Sequence, residues 1–302
     1  MGERATVLNQ RTVPGALQEV DVSRSVVVTG ASTGIGRATV GELVGAGFHV
    51  WATVRRESDA ASLREEFSDA VTTLLVDLED HASVRAAGER VCAAGPLWGL
   101  VNNAGAALPG PLELLPIEVF RRQLDINLVG QLLMTQVMLP ALFAAAEQLG
   151  EARIVMIGSV GGRIAGPILG AYHAAKHGLV GLAGALRAEL APSRIRVLLI
   201  EPGAIATPIW GRGGAFGDEL VSRGPAAVQQ RYADQLERAR EMARHGEAKG
   251  LPPEVPARVI LSALTTVNPK PRQSVGRDAR VVAVLVRMLP FRLVYRLAQA
   301  RR

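Results

Sequence analysis

Tyr172 and Lys176 stand four residues apart in the stretch GAYHAAKHGL. On a helix that spacing puts both side chains on one face, a single turn apart. A phenol beside an ammonium can handle protons. The free phenol, with a pKa of about 10, is a poor partner for chemistry near neutrality. At roughly 4 Å and an effective dielectric of about 20, an ammonium stabilises the phenolate by about 4 kcal/mol. That is worth about three pH units and would draw Tyr172 toward neutrality, with desolvation opposing it. The choice of cation is informative as well. Only three of the 34 basic residues are lysines, so a generic positive charge at 176 would ordinarily have been arginine.

A second cluster lies upstream. Thr29-Gly30-Ala31-Ser32-Thr33-Gly34-Ile35-Gly36 follows the β-branched run SVVV and precedes a helix-spaced segment, Arg37–Ala46, with Gly47 as its C-terminal stop. Glycines in a strand-to-helix turn let backbone N–H groups approach a pyrophosphate at the helix N-terminus. The spacing is G-x-x-x-G-x-G, and its strand-before, helix-after context points to a dinucleotide. A ribose 2′-hydroxyl is usually met by Asp or Glu at the end of the second strand, and a 2′-phosphate by Arg. Here Trp51-Ala52-Thr53-Val54 carries no acid, and Arg55 and Arg56 follow at once. This favours NADP, with NAD as the alternative, and Arg55 as the better-placed cation.

These groups need a scaffold. Strand-like runs recur at 25–29, 48–54, 71–76, 98–101, 153–157, 196–200 and 272–275, separated by helical stretches that include 116–149, 170–190 and 252–267. Such alternation predicts βαβ units and a parallel sheet with helices on both faces. Residues 203–250 break the rhythm and read as an insertion or lid over a pocket. No repeat or linker divides the chain, so one domain is expected over 25–285, after a polar extension (1–24) and before a tail (286–302).

Composition narrows the function classes. The 302 residues are 48% hydrophobic and 21% charged, ample for one large core. The net charge of +6 comes from scattered arginines with 4% aromatics, which does not make a nucleic-acid surface. Cys92 is the sole cysteine, so neither an intrachain disulfide nor a thiolate cluster can form, and it reads as a small core hydrophobe. No signal-peptide run and no uninterrupted apolar stretch of about 18 residues occurs, and a cytoplasmic compartment is expected. His49 and His81 carry no signal, His173 and His177 read as ordinary helix residues, and no metal site is expected. The apolar tail from Val281 reads as a helix packing on the core rather than resting on a membrane.

With Asn102-Asn103-Ala104-Gly105 added, the chain resembles the short-chain dehydrogenase/reductase family over about residues 25–285. Softer features (LWGLVNNAG, RRQLDINLVG, IEPGAIATPIW) make it most similar to hydroxysteroid and retinol dehydrogenase-like members. The resemblance implies a Rossmann-like, doubly wound sheet of about seven parallel strands. It implies that Ser159, 13 residues before Tyr172, orients substrate. It also implies that Asn127 completes a tetrad with Ser159, Tyr172 and Lys176 by anchoring a relay water. Asp77 would meet adenine, and Asn103, Ala104 and Gly105 would line the adenosine side. Lys176 would touch ribose, and Pro202, Gly203, Ile205 and Thr207 would hold the nicotinamide carboxamide. Two positions depart from the family pattern, Gly158 before Ser159 and Ala175 before Lys176, and neither removes a tetrad side chain.

The expected activity is therefore interconversion of a hydrophobic, steroid- or retinoid-like secondary alcohol and its ketone. The apolar pocket edge would be Ile205, Pro208, Ile209 and Trp210. A ketoacyl-thioester reductase is the alternative, with arginines at 223–244 meeting a carrier protein. A catalytically idle NADP-binding scaffold is the reading from another class. Small residues in GLVGLAGALRAEL predict close helix packing in a homodimer or homotetramer.

Overall fold

A computed structural model of the chain describes residues 25–209, 211–290, 292–294 and 296. The expected polar extension (1–24), the last residues of the tail and Trp210 lie outside the described residues. In chain order the elements begin β1 (Ser25–Val28), α1 (Gly34–Gly45), β2 (His49–Val54), α2 (Glu57–Phe67), β3 (Val71–Leu75) and α3 (His81–Ala94). They continue with β4 (Gly99–Asn102), α4 (Ile117–Leu124), α5 (Gly130–Leu149), β5 (Ala152–Ile157), α6 (Gly170–Leu190) and β6 (Ile195–Pro202). Helices α7 (Gly211–Ser222), α8 (Ala226–Lys249) and α9 (Glu254–Thr265), strand β7 (Arg272–Val275) and helix α10 (Arg277–Met288) complete the fold.

All seven strands pair in parallel, in the order β3-β2-β1-β4-β5-β6-β7. The pleat sorts the side chains into two cores. Val27 and Trp51 face α3, α5 and α6, while Val26, Val28, Val50 and Ala52 face α1, α2 and α9. Being buried on both faces, β1 reads as an unbroken apolar run rather than an alternation. The order reverses between β1 and β4, which opens a crevice beyond the carboxyl ends of the strands.

Two expectations are corrected. The single helix foreseen over 116–149 is α4 and α5 joined by a π-turn at Asp125–Val129. The whole run, Ile117–Leu149, has the length and mean hydropathy (1.6) of a membrane span, yet α5 buries Leu133, Met134, Met138 and Leu142 against the sheet. The tail helix does not turn an apolar face wholly inward. Helix α10 buries Ala279 and leaves Val281 (52%), Val284 (59%) and Met288 (72%) exposed. Its run VVAVLV is apolar all round and the helix rests on the body along one side, so some apolar residues must point outward. The boundary drawn at 285 falls inside this helix.

Candidate active site

The glycine turn takes its shape from backbone conformations that only glycine adopts freely. Gly30 and Gly34 lie at φ +67° and +57°. Thr33, at the N-cap of α1, makes no side-chain cap, so the first N–H groups of a twelve-residue helix are not spent on it. A Cβ at Gly34 would meet Thr207 Cγ2 at 2.9 Å, which brings the segment after β6 against the turn. Gly36 plays another part: a Cβ there would lie 2.1 Å from Gly30 O and 2.6 Å from Asn103 Nδ2. It seats α1 on the turn and does not line the cavity.

Every other residue singled out for the tetrad or the dinucleotide lines one groove of about 430 Å³ at the carboxyl edge of the sheet. At one end are Ser32, Thr33, Gly34 and Ile35 with Arg55 and Asp77; Asn103, Ala104 and Gly105 form a wall. At the other end stand Asn127, Ser159, Tyr172 and Lys176, with Pro202, Gly203, Ile205 and Thr207 opposite. The described part of the expected apolar edge, Ile205, Pro208 and Ile209, lines the groove, joined by Ala107, Leu108 and Ile126.

The uncapped helix end and the glycine cradle fit an anionic pyrophosphate. Asp77 is the sole carboxylate among the lining residues, and its Oδ1 accepts from Glu79 N at 3.1 Å. Arg56 is tied to Asp59 at 2.9 and 3.0 Å, whereas Arg55 is exposed at the groove with no ion pair among the described residues. The groove end therefore offers a guanidinium and no acid at the second strand, the arrangement that suits a 2′-phosphate.

At the other end, α6 carries both Tyr172 and Lys176 on its buried face, 5% and 4% exposed. Ser159 follows β5, and its Oγ accepts from Gly161 N at 3.0 Å. The expectation that Lys176 draws the phenol toward neutrality is not met here. The ammonium donates to Ile157 O at 2.8 Å and lies 5.9 Å from the centroid of the Tyr172 ring. Burial instead pushes the Tyr172 phenol up, with a hydrogen bond to Ser159 pulling the other way. The same burial lowers Lys176 to about 8. Desolvation dominates because both groups lie beneath the surface and the positive charge points at a carbonyl rather than at the phenol.

Asn127 stands at the wall of the groove. Its Nδ2 donates to Ala106 O and its Oδ1 accepts from Ala106 N, both at 2.8 Å. The amide thus ties the π-turn to that segment.

Several residues gave no sequence signal. Thr29 Oγ1 accepts from Asn103 N and Ala104 N, each at 2.9 Å, joining β1 to the wall. Thr53 Oγ1 accepts from Gly30 N at 3.3 Å. Arg122 lines the groove while paired with Glu79 at 2.8 Å. Glu201, fully buried just before Pro202, accepts from Arg163 Nε at 2.9 Å and Arg272 Nε at 2.8 Å. Asp278 Oδ2 accepts from Ala204 N at 2.8 Å and holds the loop after β6. His173 is not an idle helix residue either: its Nδ1 bonds Gly161 O at 3.0 Å, and burial lowers its pKa. Cys92 is half-buried and directs its thiol to Val137 O at 3.4 Å. No cluster of three or more His, Cys, Asp or Glu could hold a metal among the described residues.

A parallel α/β sheet with a glycine turn at its switch point and a phenol–ammonium pair across the groove defines a dinucleotide-type oxidoreductase site. The profile of the short chain dehydrogenase family matches residues 24–215, and the chain belongs to that family of oxidoreductases. It is 32% identical over 277 residues to an NADPH-dependent 3-dehydrocapnine reductase of Ornithobacterium rhinotracheale, covering 90% of this chain and 94% of that one. It is 31% identical over 290 residues to the 17-beta-hydroxysteroid dehydrogenase type 6 of Bos taurus, covering 93% and 88%. A crystal structure of a short-chain dehydrogenase from Streptomyces avermitilis superposes with a TM-score of 0.75 at 28% identity, covering 93% and 98%.

Proposed function

We propose that this protein is an NADP-dependent oxidoreductase interconverting a hydrophobic secondary alcohol and its ketone, with NAD as a poorer partner. The observation that carries the reading is the single groove joining the glycine turn to Ser159, Tyr172 and Lys176. The bound nicotinamide would supply the hydride. Gly30 to Ile35 would seat its pyrophosphate, Arg55 a 2′-phosphate, and Pro202, Gly203, Ile205 and Thr207 its carboxamide. In the reducing direction Tyr172 gives its proton to the carbonyl oxygen as negative charge develops there, and Ser159 donates a hydrogen bond to the same oxygen. Lys176, lowered to about 8, is poised to exchange a proton near neutrality and to touch ribose hydroxyls. A phenol held high by burial stays protonated at neutral pH, the form that can donate to a carbonyl oxygen.

The apolar residues Leu108, Ile126, Ile205 and Ile209 support a hydrophobic substrate, in line with the steroid named for one relative. The ketoacyl-thioester alternative has less support. Of the five arginines at 223–244, Arg223, Arg231, Arg240 and Arg244 are paired to Glu219, Glu113, Asp218 and Glu237 and leave little free charge for a carrier protein. Helices α7 and α8 are the lid in this reading. On α6, Gly181 and Gly184 have open space around them, which suits a second copy and a homo-oligomer in the cytoplasm.

The test is turnover of NADPH and NADH over a panel of apolar ketones. Tyr172→Phe should bind NADPH as wild type does and lose turnover by several orders of magnitude. No cofactor consumption on any ketone by the wild-type protein would remove the proposal's main support.

A further inference from the structure

Five polar side chains with no solvent exposure, Asn102, Gln123, Asn127, Gln131 and Thr135, lie along one seam. Four of them sit at successive i, i+4 positions through α4, the π-turn and α5. Facing them, the backbone from 102 to 108 runs without regular secondary structure past Asn102. Its alternate residues meet the helix residues in reverse order. Asn102 Nδ2 donates to Thr135 Oγ1 at 2.8 Å, and Gln131 Nε2 donates to Ala104 O at 2.9 Å. Asn127 takes both polar groups of Ala106. Gln123 Nε2 donates to Ala106 O at 2.9 Å, and its Oε1 accepts from Leu108 N at 2.7 Å.

An extended chain advances about 6.6 Å per two residues and an α-helix about 6 Å per four, so the two ladders almost match. Residues four apart on a regular α-helix drift round its axis by about 40° per step. The wider π-turn at Asp125–Val129, centred on Asn127, takes up that drift and keeps all four side chains on the seam.

The far side of this segment is the groove wall. Ala104 abuts the glycine turn: a Cβ at Gly30 would meet Ala104 Cα at 2.8 Å. Farther on, Gly110 N donates to Ile168 O at 2.7 Å, beside the α7–α8 pair. We infer that Gln123 and Gln131 are positioning residues, Gln131 fixing the cofactor end of the wall and Gln123 the substrate end, with Asn127 between them. The inference rests on the groove holding a dinucleotide as proposed above.

Two measurements separate it from a merely structural seam. One is calorimetric binding of NADPH; the other is hydrogen exchange of the amides at 104–110. The variants are Gln131→Met and Gln123→Met, which keep the length of the side chain, with Thr135→Val as the structural control. Gln131→Met should weaken NADPH about tenfold, the effect of leaving one buried carbonyl unpaired. Gln123→Met should keep NADPH binding within about twofold and release the Leu108 amide to exchange, while Gln123→Glu, which retains the acceptor, should restore that protection. Thr135→Val should lower thermal stability and change neither readout. If a Met variant does not fold, the Asn variants, one methylene short, make the same comparison. Equal losses of NADPH affinity in both glutamine variants, or lowered stability with both readouts unchanged, would overturn the inference. If wild-type protein does not bind NADPH, the proposed function fails, and the exchange measurements still decide the role of Gln123.

Discussion

Replacing Lys176 with methionine gives a sharp test of the site's electrostatics, because the effect should appear in stability as well as in turnover. Burial lowers the ammonium from 10.5 to about 8. At 1.36 kcal/mol per pH unit, carrying that charge in the folded protein costs about 3 kcal/mol below pH 8. Methionine removes the cost and leaves Ile157 O without its partner, a penalty of about 1–3 kcal/mol. At pH 7 the Lys176→Met protein should therefore match wild type in stability, despite losing a fully engaged side chain. The pH dependence is more telling. Between about 8 and 10.5 the unfolded chain still holds the lysine proton while the folded protein has released it. The unfolded state then binds more protons, and wild-type stability rises with pH. From pH 8 to 9.5 that gain is about 2 kcal/mol over the variant. Tyr172 acts in the opposite sense: raised in the folded state, its phenol keeps a proton that the unfolded chain loses above about 10, and stability falls there. Stopping at pH 9.5 and comparing two proteins that both contain Tyr172 isolates the lysine. The assay is urea unfolding without added dinucleotide at half-unit steps from pH 7. Parallel stability curves for wild type and Lys176→Met across that range would refute the argument that burial dominates this pair.

Three further perturbations are specific. Arg55→Ala should weaken NADPH about tenfold and leave NADH within twofold, the loss expected for one exposed charge-assisted contact, measured by direct binding of each dinucleotide. Gly36→Ala places a Cβ against the Gly30 carbonyl and should yield protein that fails to bind dinucleotide and melts well below wild type by calorimetry. Glu201→Ala leaves Arg163 and Arg272 facing each other without a carboxylate and should cost about 3–5 kcal/mol in urea unfolding, with Glu201→Gln recovering part of it.

The parallel sheet was legible because most of its strands are short apolar runs, as in SVVV and ARIVMI, and glycines such as Gly30, Gly34 and Gly47 stand at the turns between elements. The groove residues were legible where a motif fixes them: the turn from Gly30 to Gly36, the Tyr172–Lys176 spacing, and the Asn103–Gly105 wall. Charge balance was not. The phenol and ammonium are adjacent in the helix, but their pKa shifts depend on burial depth and on the carbonyl of Ile157, which arrives from β5. Partners distant in sequence were also invisible. Glu201 meets Arg163 38 residues away and Arg272 71 residues away, and none of the three sits in a pattern that announces the contact. Helical periodicity likewise cannot reveal a π-turn, because the i, i+4 spacing of Gln123, Asn127 and Gln131 reads as ordinary helix until the facing chain is known.

The attachment of the α7–α8 pair bears on how such a protein can change its trade. Among the described residues its own buried cluster is small, Ile168, Val221 and Leu236, and its remaining ties include exposed ion pairs such as Arg231–Glu113 and Arg240–Asp218. Exposed pairs of this kind contribute little each. The two sheet cores, by contrast, draw on every strand and on six helices. If the pair is the lid proposed above, substitutions on it touch few of the described buried contacts, while those near the glycine turn fall where a methyl group is already too large. A lineage built this way can retune what it accepts without renegotiating how it folds, and relatives at about a third identity carry names as different as 3-dehydrocapnine reductase and 17-beta-hydroxysteroid dehydrogenase.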